Sequence, residues 1–139
     1  MKRTRIQALL RQSPSEQEVT VAGWVRTRRD AKGGFSFLEL NDGSCLANLQ
    51  LLIPNTLANY DRDVHRLHPG AAVIVQGPLV SSPGAEQSVE LQVRRLDVLG
   101  FCDPMAYPLG KQRIGLERLR ELPQLRARTN TFGAMARVR

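Results

Sequence analysis

The strongest constraint on the fold of this chain is a two-residue alternation of apolar and polar side chains that recurs in five short segments. This alternation is typical of strands that bury one face, because successive side chains point to opposite sides of a sheet. A helical pattern over 56–67, with apolar residues three or four positions apart, interrupts the series once. The predicted strands cover 18–26, 35–40, 46–53, 71–80 and 88–99.

The order of these elements predicts an all-β fold. Five short strands with one helix between the third and the fourth is the order of an OB-fold, a small Greek-key barrel. Gly33-Gly34 and Asn41–Ser44 supply turn signals between the first three strands, and a closed barrel leaves no exposed sheet edge. A change of register at Arg94-Arg95 predicts a bulge in the fifth strand.

Two regions of different character divide the chain. Residues 1–100 hold a short predicted helix over 4–11 and the barrel, and we assign them to one OB-fold domain. Residues 101–139 begin with a hinge containing proline and glycine, then continue with a helical stretch over 115–122. Thr129 is suited to cap a last helix. We therefore predict a helical linker in this second region.

The charge balance favours a polyanionic partner. The 139 residues hold 20 Lys and Arg against 13 Asp and Glu, a net charge of +7, and all but three of the cations are Arg. Arginine makes forked contacts to phosphates and stacks on bases, so nucleic acid is the first candidate. The excess is uneven, with twelve cations against ten anions in 1–100 and eight against three in 101–139. An arginine-rich coding bias is the alternative explanation.

Other function classes find little support. No apolar stretch is long enough to span a membrane, and the N-terminus lacks the apolar run of a signal peptide, which predicts a cytoplasmic protein. The two cysteines and two histidines have no metal-binding spacing, so we predict no metal site and no disulfide. No nucleotide-loop, hydrolase or metalloprotease motif occurs, and we assign no catalytic residue. Glu39 and Asp42 are interpreted as solvated strand-end charges.

A candidate nucleic-acid site lies on the hairpin of the first two strands. Its cations at the end of the first strand are Arg26, Arg28, Arg29 and Lys32. Phe35 and Phe37 follow on one face of the second strand, and OB-folds bind single strands near this hairpin by stacking bases on aromatic rings. Alternation by itself leaves open that both phenylalanines are core residues.

Polar side chains in the third and fifth strands add candidates for contacts to base edges. Gln50 offers a donor and an acceptor on one amide, and Glu90 can accept from a base amino or imino group. Asn48 and Gln92 occupy similar positions. The alternative for all four is an exposed strand face without function.

Several motifs together resemble one protein family. The stretch VTVAGWVRTRRDAKGGFSFLELNDGSC, Val19–Cys45, is similar to the N-terminal anticodon-binding OB domain of class IIb aminoacyl-tRNA synthetases, and most similar to the asparaginyl members. The resemblance continues through NLQLLIPN, VIVQGPLVSSPGAEQSVELQV and YPLGKQR. It ends with LRELPQLRARTNTFGAMARVR, Leu119–Arg139, which is similar to the entry into the catalytic domain of that family.

The resemblance implies roles for individual residues in binding a tRNA anticodon. Phe37 matches the phenylalanine that stacks on an anticodon base, and Phe35 remains interpreted as a core residue. Gln50 matches the glutamine that reads the central uracil, with Asn48 as the alternative. Arg29 matches an arginine that contacts the loop, with Arg26 and Arg28 beside it as helpers. Glu90 matches the glutamate that discriminates at the third anticodon position.

The resemblance also implies an ATP- and Mg²⁺-dependent asparagine–tRNA ligase with a homodimer formed by its catalytic domain. This chain ends before the proline of motif 1 and contains neither motif 2 nor motif 3. We therefore expect a tRNA-binding piece that holds no cofactor, has no ligase activity by itself and is a monomer, with residues 101–139 forming a hinge and a truncated start of the catalytic domain. The alternatives are a sequence-tolerant single-strand binder and a module that binds an acidic protein.

Overall fold

The computed structural model describes residues 2–83, 88–110 and 114–139. Its strands are β1 Ser15–Asp30, β2 Ser36–Asn41, β3 Leu49–Ile53, β4 Ala72–Ser81, β5 Val89–Gln92 and β6 Arg95–Gly100. Its α-helices are α1 Ile6–Leu9, α2 Tyr60–Asp63, α3 Leu116–Arg120 and α4 Asn130–Val138, with single 3₁₀ turns at Val64–Arg66 and Arg126–Arg128. The turn predicted over 81–85 lies partly outside the described residues.

The strands close into the predicted OB-type barrel. Their order is β1-β2-β3-β5-β4-β6, and β1 also pairs with β4, so that five strands form a ring while β6 extends from β4. Neighbours are antiparallel except β3 and β5, which run parallel. The long β1 makes closure possible, because its first half pairs with β4 and its second half with β2. The all-β prediction is confirmed.

A continuous apolar core fills the barrel. Inward-facing positions alternate with partly exposed ones, most clearly in β2 and β3. Fully buried residues from both strands include Leu38, Leu40, Leu49, Leu51 and Ile53. The two cysteines are free thiols that pack against this core. Burial raises the pKa of the Cys102 thiol, and the neighbouring Asp103 carboxylate raises it further.

The predicted single fifth strand is wrong, because the chain breaks into β5 and β6 at Val93 and Arg94 instead of forming a bulge. The backbone N–H groups of these two residues donate hydrogen bonds to different strands. Val93 N donates to Leu52 O on β3 at 2.9 Å, and Arg94 N donates to Gln76 O on β4 at 2.8 Å. Gly77 lies against the break, where a Cβ atom would overlap the Gln92 carbonyl oxygen.

The segment between β3 and β4 is less helical than predicted, because only α2 and the adjoining 3₁₀ turn form within 56–67. Its start consists of turns that are closed by hydrogen bonds between residues three positions apart. Leu57 N donates to Pro54 O, and Tyr60 N donates to Leu57 O. The Asn59 side chain donates to Leu96 O at 2.9 Å and ties the segment to β6. The predicted apolar face is nevertheless buried, and Val64 and Leu67 close one end of the core.

β3 begins three residues later than predicted, at Leu49 instead of Leu46. The Asn41 amide nitrogen donates to Cys45 O and Ala47 O and thereby holds the preceding residues in a loop. Leu46 is left 43% exposed and faces the C-terminal helix α4 near Gly133.

The short helix α1 closes the other end of the barrel with Ile6 and Leu9, both fully buried. Its first N–H groups are bound by the β2–β3 turn. Ile6 N donates to Asp42 Oδ2 at 2.9 Å, while Gln7 N donates to Ser44 Oγ at 3.0 Å. Burial raises the pKa of Asp42, but hydrogen bonds from Ser44 and from the Ile6 backbone outweigh it, so the net pKa lies below its ordinary value.

Replacing Asp42 with asparagine is expected to lower the free energy of unfolding by about 1 kcal/mol at pH 7, because the amide nitrogen cannot accept the bonds that the carboxylate accepts. Since the folded-state pKa of Asp42 is lowered, its stabilisation is present above about pH 4 and is lost as the pH falls below that value. Urea unfolding of both proteins from pH 7 to pH 3 measures this. A difference that stays constant over the range would contradict the assignment.

The C-terminal region packs on the barrel through α4 and the turn before it. The predicted cap is confirmed, because Thr129 Oγ1 accepts from Phe132 N at 3.4 Å. Arg137 Nη2 donates to Gly43 O at 2.8 Å, and the Arg128 guanidinium lies 4.6 Å from the Trp24 ring centroid. Within the described ranges, no helix is long and apolar enough to cross a membrane.

Candidate nucleic-acid interface

An outward-facing surface of β1, β2 and β3 brings together several predicted site residues. Arg29 on β1 is paired across the strands with Phe37 on β2, and Thr27 is paired with Glu39. Glu39 is in turn paired with Gln50 on β3. Because side chains alternate along each strand, these residues share the outer face while their neighbours fill the core. The surface therefore presents a ring, a guanidinium and an amide next to one another.

A cavity of about 310 Å³ lies at the centre of this surface. Its lining consists of Thr27, Arg29, Phe37, Leu38, Glu39 and Gln50. Phe37 is partly exposed and does not belong to the buried core, so the alternative that it is a core residue is wrong. The Arg29 guanidinium carbon lies 4.7 Å from the Phe37 ring centroid. This is within the range of a cation–π contact, so a flat cationic group covers the ring.

Phe35 is also on the surface, which corrects its interpretation as a core residue. It lies just before β2, is partly exposed, and meets Phe37 edge-to-face with the ring centroids 5.3 Å apart. The hairpin turn explains its position. Ala31 N donates to Phe35 O at 2.8 Å, and Gly34 has a φ of 82°, so Phe35 leaves the turn outside the barrel. It buttresses the edge of the Phe37 ring.

Gln50 and Glu90 form a hydrogen-bonded pair at the next step along this surface. Gln50 Nε2 donates to Glu90 Oε2 at 2.7 Å, although the residues are 40 positions apart in sequence. The parallel pairing of Leu51 with Leu91 brings them to the same side of neighbouring strands. Glu90 is only 5% exposed, so the alternative of an exposed strand face is wrong for this residue.

Asn48 belongs to a different part of the surface. Its amide donates to Glu39 Oε2 at 3.3 Å, and its oxygen accepts from Asn41 Nδ2 at 2.9 Å. It lines an adjoining groove of about 500 Å³ between the barrel and the C-terminal region, which shares Thr27 and Glu39 with the Phe37 cavity, and Asn48 itself is not among the residues that line that cavity. The geometry therefore favours Gln50 over Asn48 as the amide beside the ring.

The structure separates Arg26 and Arg28 from the residues around Phe37. Arg26 is the extra residue of a bulge in β1, and its guanidinium donates to the Arg128 carbonyl oxygen. Arg28 is paired with the buried Leu38 and therefore lies on the opposite side of the strand from Arg29. Its guanidinium forms an ion pair with Asp30 at 3.2 Å. Arg29 is thus the one of these three arginines that lies at the ring.

Thr27 and Glu39 also line the cavity, although no pattern in the sequence assigns them to the site. Glu39 was interpreted as a solvated charge, whereas it lies between Phe37 and Gln50 on the cavity wall and accepts from Asn48. The bulge at Arg26 moves Thr27 to the outer face. A strictly alternating pattern continued from Val25 places Thr27 inside the barrel and cannot indicate this shift. Glu39 lies two residues after Phe37 on β2, so alternation does predict that both face outward.

Comparison with known proteins supports the nucleic-acid interpretation of this surface. Residues 19–99 match a family model described as an OB-fold nucleic acid binding domain. The chain is 51% identical over 136 residues to an asparagine–tRNA ligase of Rhodopirellula baltica, a match that covers 98% of this chain and 28% of that protein. It is 50% identical over 139 residues to an asparagine–tRNA ligase of Synechocystis, covering 100% of this chain and 30% of the relative.

Solved structures agree on the fold. The crystal structure of asparaginyl-tRNA synthetase from Pyrococcus horikoshii matches 99% of this chain and 32% of that chain with a TM-score of 0.82 and 22% identity. The chain therefore spans about a third or less of the length of these ligases and of this synthetase. The surface around Phe37 lies within the residues that the family model covers.

Proposed function

We propose, from the premise that this chain belongs to the family of OB-fold nucleic acid binding domains, that it binds the anticodon loop of a tRNA on the surface around Phe37. The observation that carries the proposal is the 310 Å³ cavity in which an outward-facing ring, an arginine and a glutamine meet. Single-stranded RNA loops are recognised through this combination, because their unstacked bases offer a face for stacking and an edge for hydrogen bonding.

Stacking supplies the part of the affinity that does not depend on base identity in this proposal. A base lies against the Phe37 ring in place of the Arg29 guanidinium, which moves aside to the nearby phosphate or covers the opposite face of the base. A stack of this kind contributes about 1–3 kcal/mol and is similar for all four bases. Arg29 is exposed at the edge of the site, so its charge also attracts the RNA backbone.

Discrimination between bases comes from Gln50 in this proposal. Its amide lines the cavity beside Phe37 and carries both a donor and an acceptor, so it can form two hydrogen bonds with the edge of one stacked base. The resemblance to asparaginyl enzymes implies that this base is the central uracil of a GUU anticodon. Phosphate contacts position the loop without reading its sequence.

The proposal extends to the longer proteins that this chain resembles. We infer that the chain supplies tRNA recognition to an asparagine–tRNA ligase, in the cytoplasm, and that dimer formation belongs to the remainder of that enzyme. Within residues 2–83, 88–110 and 114–139, no three His, Cys, Asp or Glu side chains are grouped closely enough to hold a metal ion. We derive no catalytic step for this chain.

Titration of the 139-residue chain with anticodon stem-loops tests the proposal. We expect a GUU loop to bind about 5- to 150-fold more tightly than a loop in which the central uracil is replaced by cytosine, because one bidentate contact contributes about 1–3 kcal/mol of discrimination. Fluorescence anisotropy at about 50 and 200 mM salt separates this preference from phosphate contacts, which weaken with salt for every loop.

The same titration distinguishes the alternatives. Equal affinity for both loops and for an oligopyrimidine DNA would identify a sequence-tolerant binder and contradict anticodon recognition. Binding to an acidic protein that RNA does not displace would exclude the nucleic-acid interpretation altogether.

A further inference from the structure

We propose that Glu90 is a positioning residue that fixes the amide orientation of Gln50 and thereby makes the site select uracil against cytosine. This inference rests on the proposed function, because it concerns how the same surface chooses its base. It assigns Glu90 an indirect role, in contrast to the direct contact with the third anticodon base that the family resemblance implies.

Glu90 is buried, and its carboxylate lies behind the Gln50 side chain. Glu90 is 5% exposed, and Gln50 Nε2 lies 2.7 Å from its Oε2 atom. Backbone pairing of Val80 with Glu90 and of Leu51 with Leu91 holds β5 on both sides. The carboxylate is thus anchored by two neighbouring strands and faces the Gln50 amide, not the open surface.

An ionised carboxylate accepts hydrogen bonds but cannot donate one. The NH₂ group of Gln50 must therefore turn toward Glu90, and the amide oxygen takes the other arm of the side chain. Rotation of the amide by half a turn would bring two acceptor oxygens together at a buried position, where lost hydrogen bonds are costly. An isolated glutamine could adopt both orientations, but Gln50 is held in one.

Uracil and cytosine present mirrored hydrogen-bonding patterns to this amide. At ring positions 3 and 4, uracil presents a donor and an acceptor, whereas cytosine presents an acceptor and a donor. For a base held at one place by stacking on Phe37, an amide in one orientation pairs with uracil, and the same amide after half a turn pairs with cytosine. A fixed orientation therefore rejects the base that a freely rotating amide would also accept.

Replacing Glu90 with glutamine tests this role, because a glutamine at position 90 can donate or accept and permits both orientations of Gln50. We expect the preference for a central uracil over cytosine to fall at least fivefold, chiefly through tighter binding of the cytosine loop. The probes are the two stem-loops that differ only at that base. Glu18→Gln removes the same charge at a half-exposed ion pair with Arg94 and is the matched control.

Gln50→Ala provides a second variant that does not depend on altering the buried carboxylate. We expect it to lose the preference for uracil although Glu90 is still present, and we expect Glu90→Gln to change the preference no further in that background. Additive losses in the double variant would overturn the positioning role. The urea unfolding midpoint of each variant checks that the variant is folded under the conditions of the binding measurement.

The outcomes separate this inference from the proposed function. If Phe37→Ala weakens binding but Glu90→Gln leaves the uracil preference unchanged, Glu90 does not position Gln50. If Glu90→Gln instead changes selection at the third anticodon base, Glu90 reads that base directly and the inference is wrong. If neither Phe37→Ala nor the change of the central base affects binding, the proposed function itself is contradicted.

Discussion

Substituting Phe37 with alanine is expected to lower the affinity for a GUU stem-loop by about 1–3 kcal/mol, roughly 5- to 150-fold. The substitution removes the ring that the described residues contribute to the cavity lining, while the outward position of Phe37 leaves the barrel core intact. Because a stack forms with any base, the affinities for the GUU loop and its cytosine variant should fall by similar factors. Anisotropy titrations at constant salt measure the change.

Phe101 offers a matched control for this substitution. It is 45% exposed, lies under the Arg66 guanidinium at 4.2 Å, and is part of neither the Phe37 cavity nor the core. Phe101→Ala should therefore leave the affinity unchanged. Equal losses in the two variants would mean that RNA binding does not depend on the Phe37 surface.

Gly77→Ala is expected to lower the free energy of unfolding by about 3 kcal/mol, the largest effect on stability that we predict. A Cβ atom at this position in β4 would overlap the Gln92 carbonyl oxygen and approach the Gln92 carbonyl carbon to 2.9 Å. Both are backbone atoms at the break between β5 and β6, so neither can move like a flexible side chain. Urea unfolding of the two proteins at pH 7 measures the difference.

Gly100→Ala is the matched control, because Gly100 is also a strand residue and no heavy atom lies within 4 Å of its added Cβ. We expect it to change stability by less than about 1 kcal/mol. If Gly77→Ala were equally mild, the close approach of β4 to the break would not be a constraint on the barrel.

The barrel could be predicted from the sequence because its evidence is local and repeated. Alternation in β2 and β3 follows the burial of Leu38, Leu40, Leu49 and Leu51, and the turn glycines separate the strands. The break between β5 and β6 could not be predicted, since it depends on which strands accept the N–H groups of Val93 and Arg94. The shortened helix likewise depends on a distant contact, from Asn59 to Leu96.

The outward direction of a site residue could be predicted where side chains alternate regularly along the strand. It could not be predicted where a bulge shifts the alternation. The outward side of β2 carries Phe37, and the neighbouring strands bring Arg29 and Gln50 to it. The bulge at Arg26 changes the parity of β1, so the arginines of one short run face different surroundings. Glu90 lies on a strand between β3 and β4 and contacts a residue 40 positions away, which no local pattern reports.

Whether an unpaired base stacks on Phe37 is measured most directly by NMR on the complex with a GUU stem-loop labelled only at the central uridine. We predict intermolecular NOEs from the H5 and H6 protons of that uracil to the Phe37 ring, with upfield shifts of both protons caused by the ring current. NOEs to Trp24 or to the C-terminal region, with the Phe37 resonances unchanged on binding, would contradict the account.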